Sequence, residues 1–288
     1  MAIFGKLAYE AGVGVGDLLL VRFTVAAAVL LAIATATGAL RGLPRRAVVT
    51  GLLMGGVGYA AQAGLFFLAL ERMDASILAL LLYTYPAMVT VAAIAIGREK
   101  GSRRRTVALG IACTGTALVL LGAGTGALDP LATAMGLGAA LTYTAYILIG
   151  DGVVGGIPAL ALAALVATGA TTTFAVVSVM TGGPGLGFAP AGWVALLAIA
   201  LVSTVVAILA FFAGLARVGP SAASILSTLE PPVTVALAAL AFGESLGAVQ
   251  LAGGAMVLLA VVLLALPQGR IAALGGRNGR TEHTAELA

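Results

Sequence analysis

Charge is scarce in this chain: 9% of its 288 residues are Asp, Glu, Lys or Arg, against 61% that are hydrophobic. A water-facing domain carries roughly 25% charged residues to cover its surface, so a soluble globule is excluded. Cysteine occurs once, as Cys113 inside an apolar run, and no internal disulfide can form. Histidine also occurs once, as His283 in a polar tail, with no second ligand to make a metal site. No Ser/His/Asp set and no Cys/His cluster is present. The glycines at 12, 14 and 16 lack a preceding strand and the lysine of a phosphate-binding loop, so nucleotide-driven chemistry is not expected. No cofactor and no metal is implied.

Long apolar runs are what the chain has instead, with 40 glycines and a mean hydropathy of +1.15. A bilayer core requires about 20 apolar residues per helix, and inside it only helices or closed barrels satisfy the backbone. The runs are continuous rather than alternating, which predicts helices. Breaks at charged, Pro and Gly clusters place spans at about 17–38, 47–70, 75–97, 104–123, 131–150, 157–180, 190–215, 220–242 and 247–266. The preceding stretch, Met1 to Ala8, is too short to cross alone and too interrupted for a cleavable signal peptide. The tail 267–288 is polar and is expected to be a disordered cytoplasmic end.

Basic residues cluster after alternate spans. Arg41, Arg45 and Arg46 follow the first; Arg98, Lys100, Arg103, Arg104 and Arg105 follow the third; Arg270, Arg277 and Arg280 follow the last. The loops between them carry Glu71, Arg72 and Asp74, then Asp129, then Glu244. An excess of Lys and Arg marks cytoplasmic loops, so these clusters and the C-terminus are expected inside the cell. The net charge of +4 follows from this orientation and is no sign of nucleic-acid binding. For the run 98–105, an anionic-lipid site is the competing reading.

The chain repeats itself. Shifted by 145 residues, the stretch 66–99 aligns with 211–244, and Arg72, Ser76, Pro86 and Glu99 meet Arg217, Ser221, Pro231 and Glu244. Each unit holds five helices, an odd number, so the second copy enters the membrane from the opposite side. The expected architecture is an all-α integral membrane bundle of ten helices, nine complete and the first truncated, in two inverted five-helix repeats. Inverted repeats allow a carrier to open to either face around a site at the membrane midplane.

The stretches LLLVRF (18–23), YAAQAGLFFLALERMDASILALLLYTYPA (59–87), GRE (97–99), ARVGPSAASILSTLEPPV (216–233) and AFGESLGAVQLAGGAMVLLAVVLL (241–264) carry a resemblance. The two halves resemble tandem EamA domains of the drug/metabolite transporter superfamily, over 1–123 and 131–266. The resemblance implies a multi-pass secondary carrier of the plasma membrane, not an enzyme. It further implies export of amino acids or other small metabolites, coupled to a proton or ion; drug or nucleotide-sugar transport stays open as an alternative. The family's first helix is complete, so a start upstream of Met1 is expected. An intramembrane enzyme would require a nucleophile–base pair or metal ligands at membrane depth, and neither is found.

Ionisable groups inside spans cost about 2.5–3.5 kcal/mol and mark a pathway by default. Two lie well within spans: Glu230, in the run LSTLEPPV (226–233), and Arg22. Pro86 and Pro231 are expected to kink their helices and free nearby carbonyls. Glu230 is a candidate for binding a substrate amine or a coupling proton, with an ion pair inside the bundle as the structural alternative. Arg22 either reaches the surface along its apolar stem or faces the cavity and binds a carboxylate. Tyr83, Tyr85, Tyr143 and Tyr146 form either a pathway wall with polar handles or simple packing. Gln62 and Ser227 complete the candidate pathway, Gln62 serving equally well in an interhelical hydrogen bond.

Overall fold

The computed structural model describes residues 2–70, 72, 75–121, 129–233, 236, 240 and 247–265. Every regular element among them is helical. Five helices are long and apolar enough to cross a membrane: Val15–Ala36, Arg45–Phe66, Pro130–Val154, Ala159–Met180 and Pro190–Ser227. Arg103–Leu121, Ala248–Ala265 and the shorter Ala2–Glu10, Ala75–Leu82 and Tyr85–Ala95 complete the elements that bear on the site. Glu71, Asp74, Glu244, most of 234–246 and the tail 266–288 lie outside the described residues.

Helices related by the 145-residue shift pack on one another. The 15–36 helix lies along 159–180, and 103–121 lies along 248–265. Glycine permits the closest approaches. A Cβ at Gly55 would stand 1.9 Å from the Val166 carbonyl oxygen, and one at Gly169 would stand 2.1 Å from that of Leu52. The 45–70 and 159–180 helices therefore meet backbone to backbone, as small residues allow in membrane bundles.

Two helices each carry a six-residue π turn, Met54–Tyr59 and Leu201–Val206. A π turn widens the helix by one residue, shifts the side chains beyond it, and is found often at functional sites. Hydroxyls take up the displaced carbonyls. Thr173 donates to the Gly56 carbonyl at 2.7 Å, and Thr204 donates to that of Ile199, five residues back, at 2.9 Å.

The span expected at 75–97 is broken in two. Ala75–Leu82 ends, Tyr83 and Thr84 form a turn, and a second helix starts at Tyr85. The shift of 145 maps this break onto Ser227, Thr228–Leu229 and Glu230, where the chain again leaves and re-enters helix. Pro86 and Pro231 occupy the first turn of the resuming helices. There the missing N–H costs nothing, while the ring excludes a continuous helix from the turn before.

The spans expected at 190–215 and 220–242 meet at a sharp bend at Gly219, where φ is 78° and ψ is 172° and the helix is interrupted. That conformation is essentially confined to glycine. The bend presents the N-terminus of the 220–227 segment to Glu99, whose side chain is 8% exposed. The Ser221 N–H donates to Glu99 Oε1 at 3.3 Å, and Arg105 pairs with Glu99 Oε2 at 2.9 Å. A carboxylate at this position satisfies an unpaired helix N–H and opposes the helix dipole favourably. Nearby, Arg98 pairs with Asp151 at 3.3 Å and also donates to the Leu148 carbonyl, while Arg104 donates to that of Leu263 at 2.6 Å. The arginines between 98 and 105 thus tie five helix ends together at one end of the bundle.

Gly219→Ala is expected to destabilise the protein by about 1–3 kcal/mol, because the added Cβ also lands 2.8 Å from Glu99 Oε1. Thermal unfolding in detergent measures this as a lowered Tm. Gly187→Ala, with nothing within 4 Å of its added Cβ, should leave Tm where it is.

Candidate functional site

Arg22 lies in the 15–36 helix and is 3% exposed, turned into the bundle rather than reaching for the surface. Its Nε donates to Thr204 Oγ1 at 2.6 Å and its Nη2 to the Tyr59 hydroxyl at 3.1 Å. Its guanidinium also stands 4.9 Å from the centre of the Phe23 ring, within cation–π range. Tyr59 and Thr204 are related by the repeat: 59 plus 145 is 204, and each residue belongs to a π turn. One arginine thus joins equivalent points of the two halves.

From Tyr59 a row of aromatic rings runs across the bundle. Tyr59 meets Tyr146 edge-on at 5.7 Å, Tyr146 stacks with Tyr143 at 6.0 Å, and Tyr143 lies 4.6 Å from Tyr85. Tyr85 stands 6.0 Å from Tyr83, and its hydroxyl donates to the Ser224 carbonyl at 3.4 Å. The row ends where the Tyr83 hydroxyl donates to Glu230 Oε2 at 3.1 Å. Five of the chain's six tyrosines therefore connect its buried arginine to Glu230. Glu230 opens its helix just after the 228–229 turn and is itself exposed.

A cavity of about 260 Å³ lies against this row. Tyr59, Tyr143, Tyr146 and Phe211 give it aromatic walls, and Ser203 and Ser227 add hydroxyls. The Ser227 hydroxyl donates to the Ala223 carbonyl at 2.9 Å, which leaves the oxygen's lone pairs available as acceptors. Apolar walls with a few placed polar groups are the usual makeup of a small-molecule site, and this volume sits just under the common range of about 300–1,000 Å³.

Of the residues singled out from the sequence, Tyr143, Tyr146 and Ser227 line the cavity. Tyr85, Tyr83 and Glu230 continue the row beyond it, and Arg22 stands behind Tyr59. Gln62 is half-buried in the 60–70 helix and forms no hydrogen bond among the described residues. Tyr59, Ser203, Thr204 and Phe211 were not anticipated. A search for polar residues at matching positions of the two halves would have found Tyr59 and Thr204. No group of three or more His, Cys, Asp or Glu side chains comes together among the described residues.

A family model described as the EamA-like transporter family matches residues 1–121 and 131–266. The chain belongs to the EamA-like transporter family. This EamA-like protein is a multi-pass membrane protein of a transporter family. No curated protein matches its sequence. The crystal structure of another protein superposes on it with a TM-score of 0.77 at 18% identity, over 88% of this chain and 89% of the other. That likeness carries the fold.

Removing one partner from a buried charge costs about 1–3 kcal/mol or more. Thr204→Val keeps the shape and deletes the 2.6 Å acceptor of Arg22, so it should lower Tm in detergent. Ser203→Ala, beside it on the cavity wall, should not. Equal Tm values for the two variants would show that Thr204 does not hold the arginine.

Proposed function

We propose that this EamA-like protein is a secondary carrier that exports small polar or amphipathic metabolites, amino acids foremost, by alternating access across the plasma membrane. In this reading the chain is a ten-helix bundle of two inverted five-helix repeats, 1–123 and 131–266, with its C-terminus in the cytoplasm. The observation that carries the proposal is the broken helix pair. Both breaks fall at positions related by the 145-residue shift, and the second leads directly into Glu230, joined to the aromatic row through Tyr83. Discontinuous helices at matching places in two halves are the recurring device of carriers with a midplane site. Glu230 takes the cationic end of the solute or a coupling proton, and the tyrosines form the wall along which the solute lies.

Reconstituted protein tests this directly. Glu230→Gln should cut the flux of labelled amino acids into proteoliposomes about tenfold or more, the loss expected when a hydrogen bond to a charged group is removed. Its Tm should stay near that of the parent, because the exposed carboxylate closes no core contact. Flux at the parental rate would remove Glu230 from the mechanism.

Alternating access also assigns a role to the ties made by Arg98, Glu99 and Arg105: in this reading their side of the bundle is the cytoplasmic end, and the ties hold it shut. With Cys113 replaced by alanine, Ser227→Cys places a single thiol in the cavity wall. Adding Arg98→Gln and Glu99→Gln should make that thiol react several times faster with a membrane-impermeant maleimide applied from the cytoplasmic side. Unchanged labelling would mean that the ties hold shape only.

A further inference from the structure

The hydroxyl of Tyr59 is in an unusual hydrogen-bonding position. A phenol oxygen carries one proton and accepts through its lone pairs, whereas a guanidinium has only protons to give. At 3.1 Å from Arg22 Nη2, the Tyr59 oxygen must therefore accept, and its own proton points elsewhere. That proton makes no hydrogen bond to any of the described residues. Phe23 meets the ring edge-on at 5.1 Å and Tyr146 at 5.7 Å. The side chain lines the cavity beside Ser203 and Ser227.

Thr204, the matching residue of the other half, makes the contrast. Its oxygen accepts from Arg22 at 2.6 Å and donates to the Ile199 carbonyl at 2.9 Å, so its proton is already used. Thr204 is thus closed on the protein, whereas Tyr59 faces the cavity with its proton unspent.

We propose that Tyr59 is the specificity-determining donor of the cavity, presenting its O–H to a negatively charged oxygen of the solute, a carboxylate above all. This rests on the carrier reading and assigns the solute's anionic group to Tyr59. Accepting a hydrogen bond from a cation polarises the phenol and strengthens it as a donor, more so in surroundings of low dielectric. Donation to an ionised acceptor gives the stronger kind of hydrogen bond. Arg22 is then a positioning residue: it fixes the Tyr59 oxygen and biases the cavity toward anions without lining it. The solute class is a small zwitterion or carboxylate that the 260 Å³ space admits.

The test pairs amino acids with the amines that lack only the carboxylate: phenylalanine with phenethylamine, leucine with isoamylamine. In proteoliposomes the parent should carry the amino acids in preference to the amines. Tyr59→Phe keeps the ring and removes the proton, and should raise KM for the amino acids roughly tenfold or more while moving KM for the amines little. In detergent, the amino acids should raise the parent's Tm at concentrations that leave Tyr59→Phe unshifted. Unchanged amino-acid KM in Tyr59→Phe, or a parent that prefers the amines, overturns the role of Tyr59. A parent that carries and binds none of the four solutes defeats the carrier reading for this class, and the inference falls with it.

Discussion

A positive charge inside an apolar bundle has to be held, and the way Arg22 is held organises much of the rest. Leaving that guanidinium in hydrocarbon costs a few kcal/mol even on lenient scales. The charge is 3% exposed, and residues of two π turns hydrogen-bond to it, one in each half of the chain. Those turns widen their helices at positions 54–59 and 201–206. For the first turn to sit where it does, the backbone around Gly55 must lie against that of Val166 and Gly169, a contact that any side chain at those glycines would prevent. Arginine, π turns and glycine packing are therefore one arrangement, since altering any of them displaces the others.

The second constraint acts at helix breaks. Proline ends the preceding turn at 83–84 and again at 228–229, and each break leaves carbonyls that need new donors. Thr84 and Thr228 supply them through their own hydroxyls, to Leu81 at 2.7 Å and Ile225 at 2.6 Å. With the backbone served locally, the side chains at the breaks are released for other work. That is how Tyr83 comes to reach Glu230 across 147 residues of sequence.

The apolar runs, their lengths and the proline positions could be read in the sequence because each is a local property of the chain. Pro86 and Pro231 marked both breaks, and the basic clusters marked the helix ends that Arg98, Arg104 and Arg105 tie together. The π turns left no such trace. Met54–Tyr59 reads MGGVGY, plain helix and glycine, and its extra residue is imposed by what packs against it. Tyr59 and Thr204 were passed over for the same reason: a tyrosine and a threonine in apolar runs look ordinary until Arg22 is found between them. Gly219 was legible in part. ARVGPS suggests a boundary, and the helix is interrupted there; what the sequence does not show is Glu99, brought from 120 residues away to accept from the Ser221 N–H after the bend.

The repeat supplies geometry twice and chemistry once. Tyr85 starts the resuming helix in the first half and Glu230 starts it in the second; Tyr59 occupies one π turn and Thr204 the other; Ala167 stands where the shift places the counterpart of Arg22. In each pair the backbone is alike and the side chain differs. The shared backbone sets where the helices break and widen, and the differing side chains set the chemistry at those places. The tyrosine row joins the positive side chain to the negative one through neutral rings, so the two charges stay apart, one behind Tyr59 and the other beyond Tyr83.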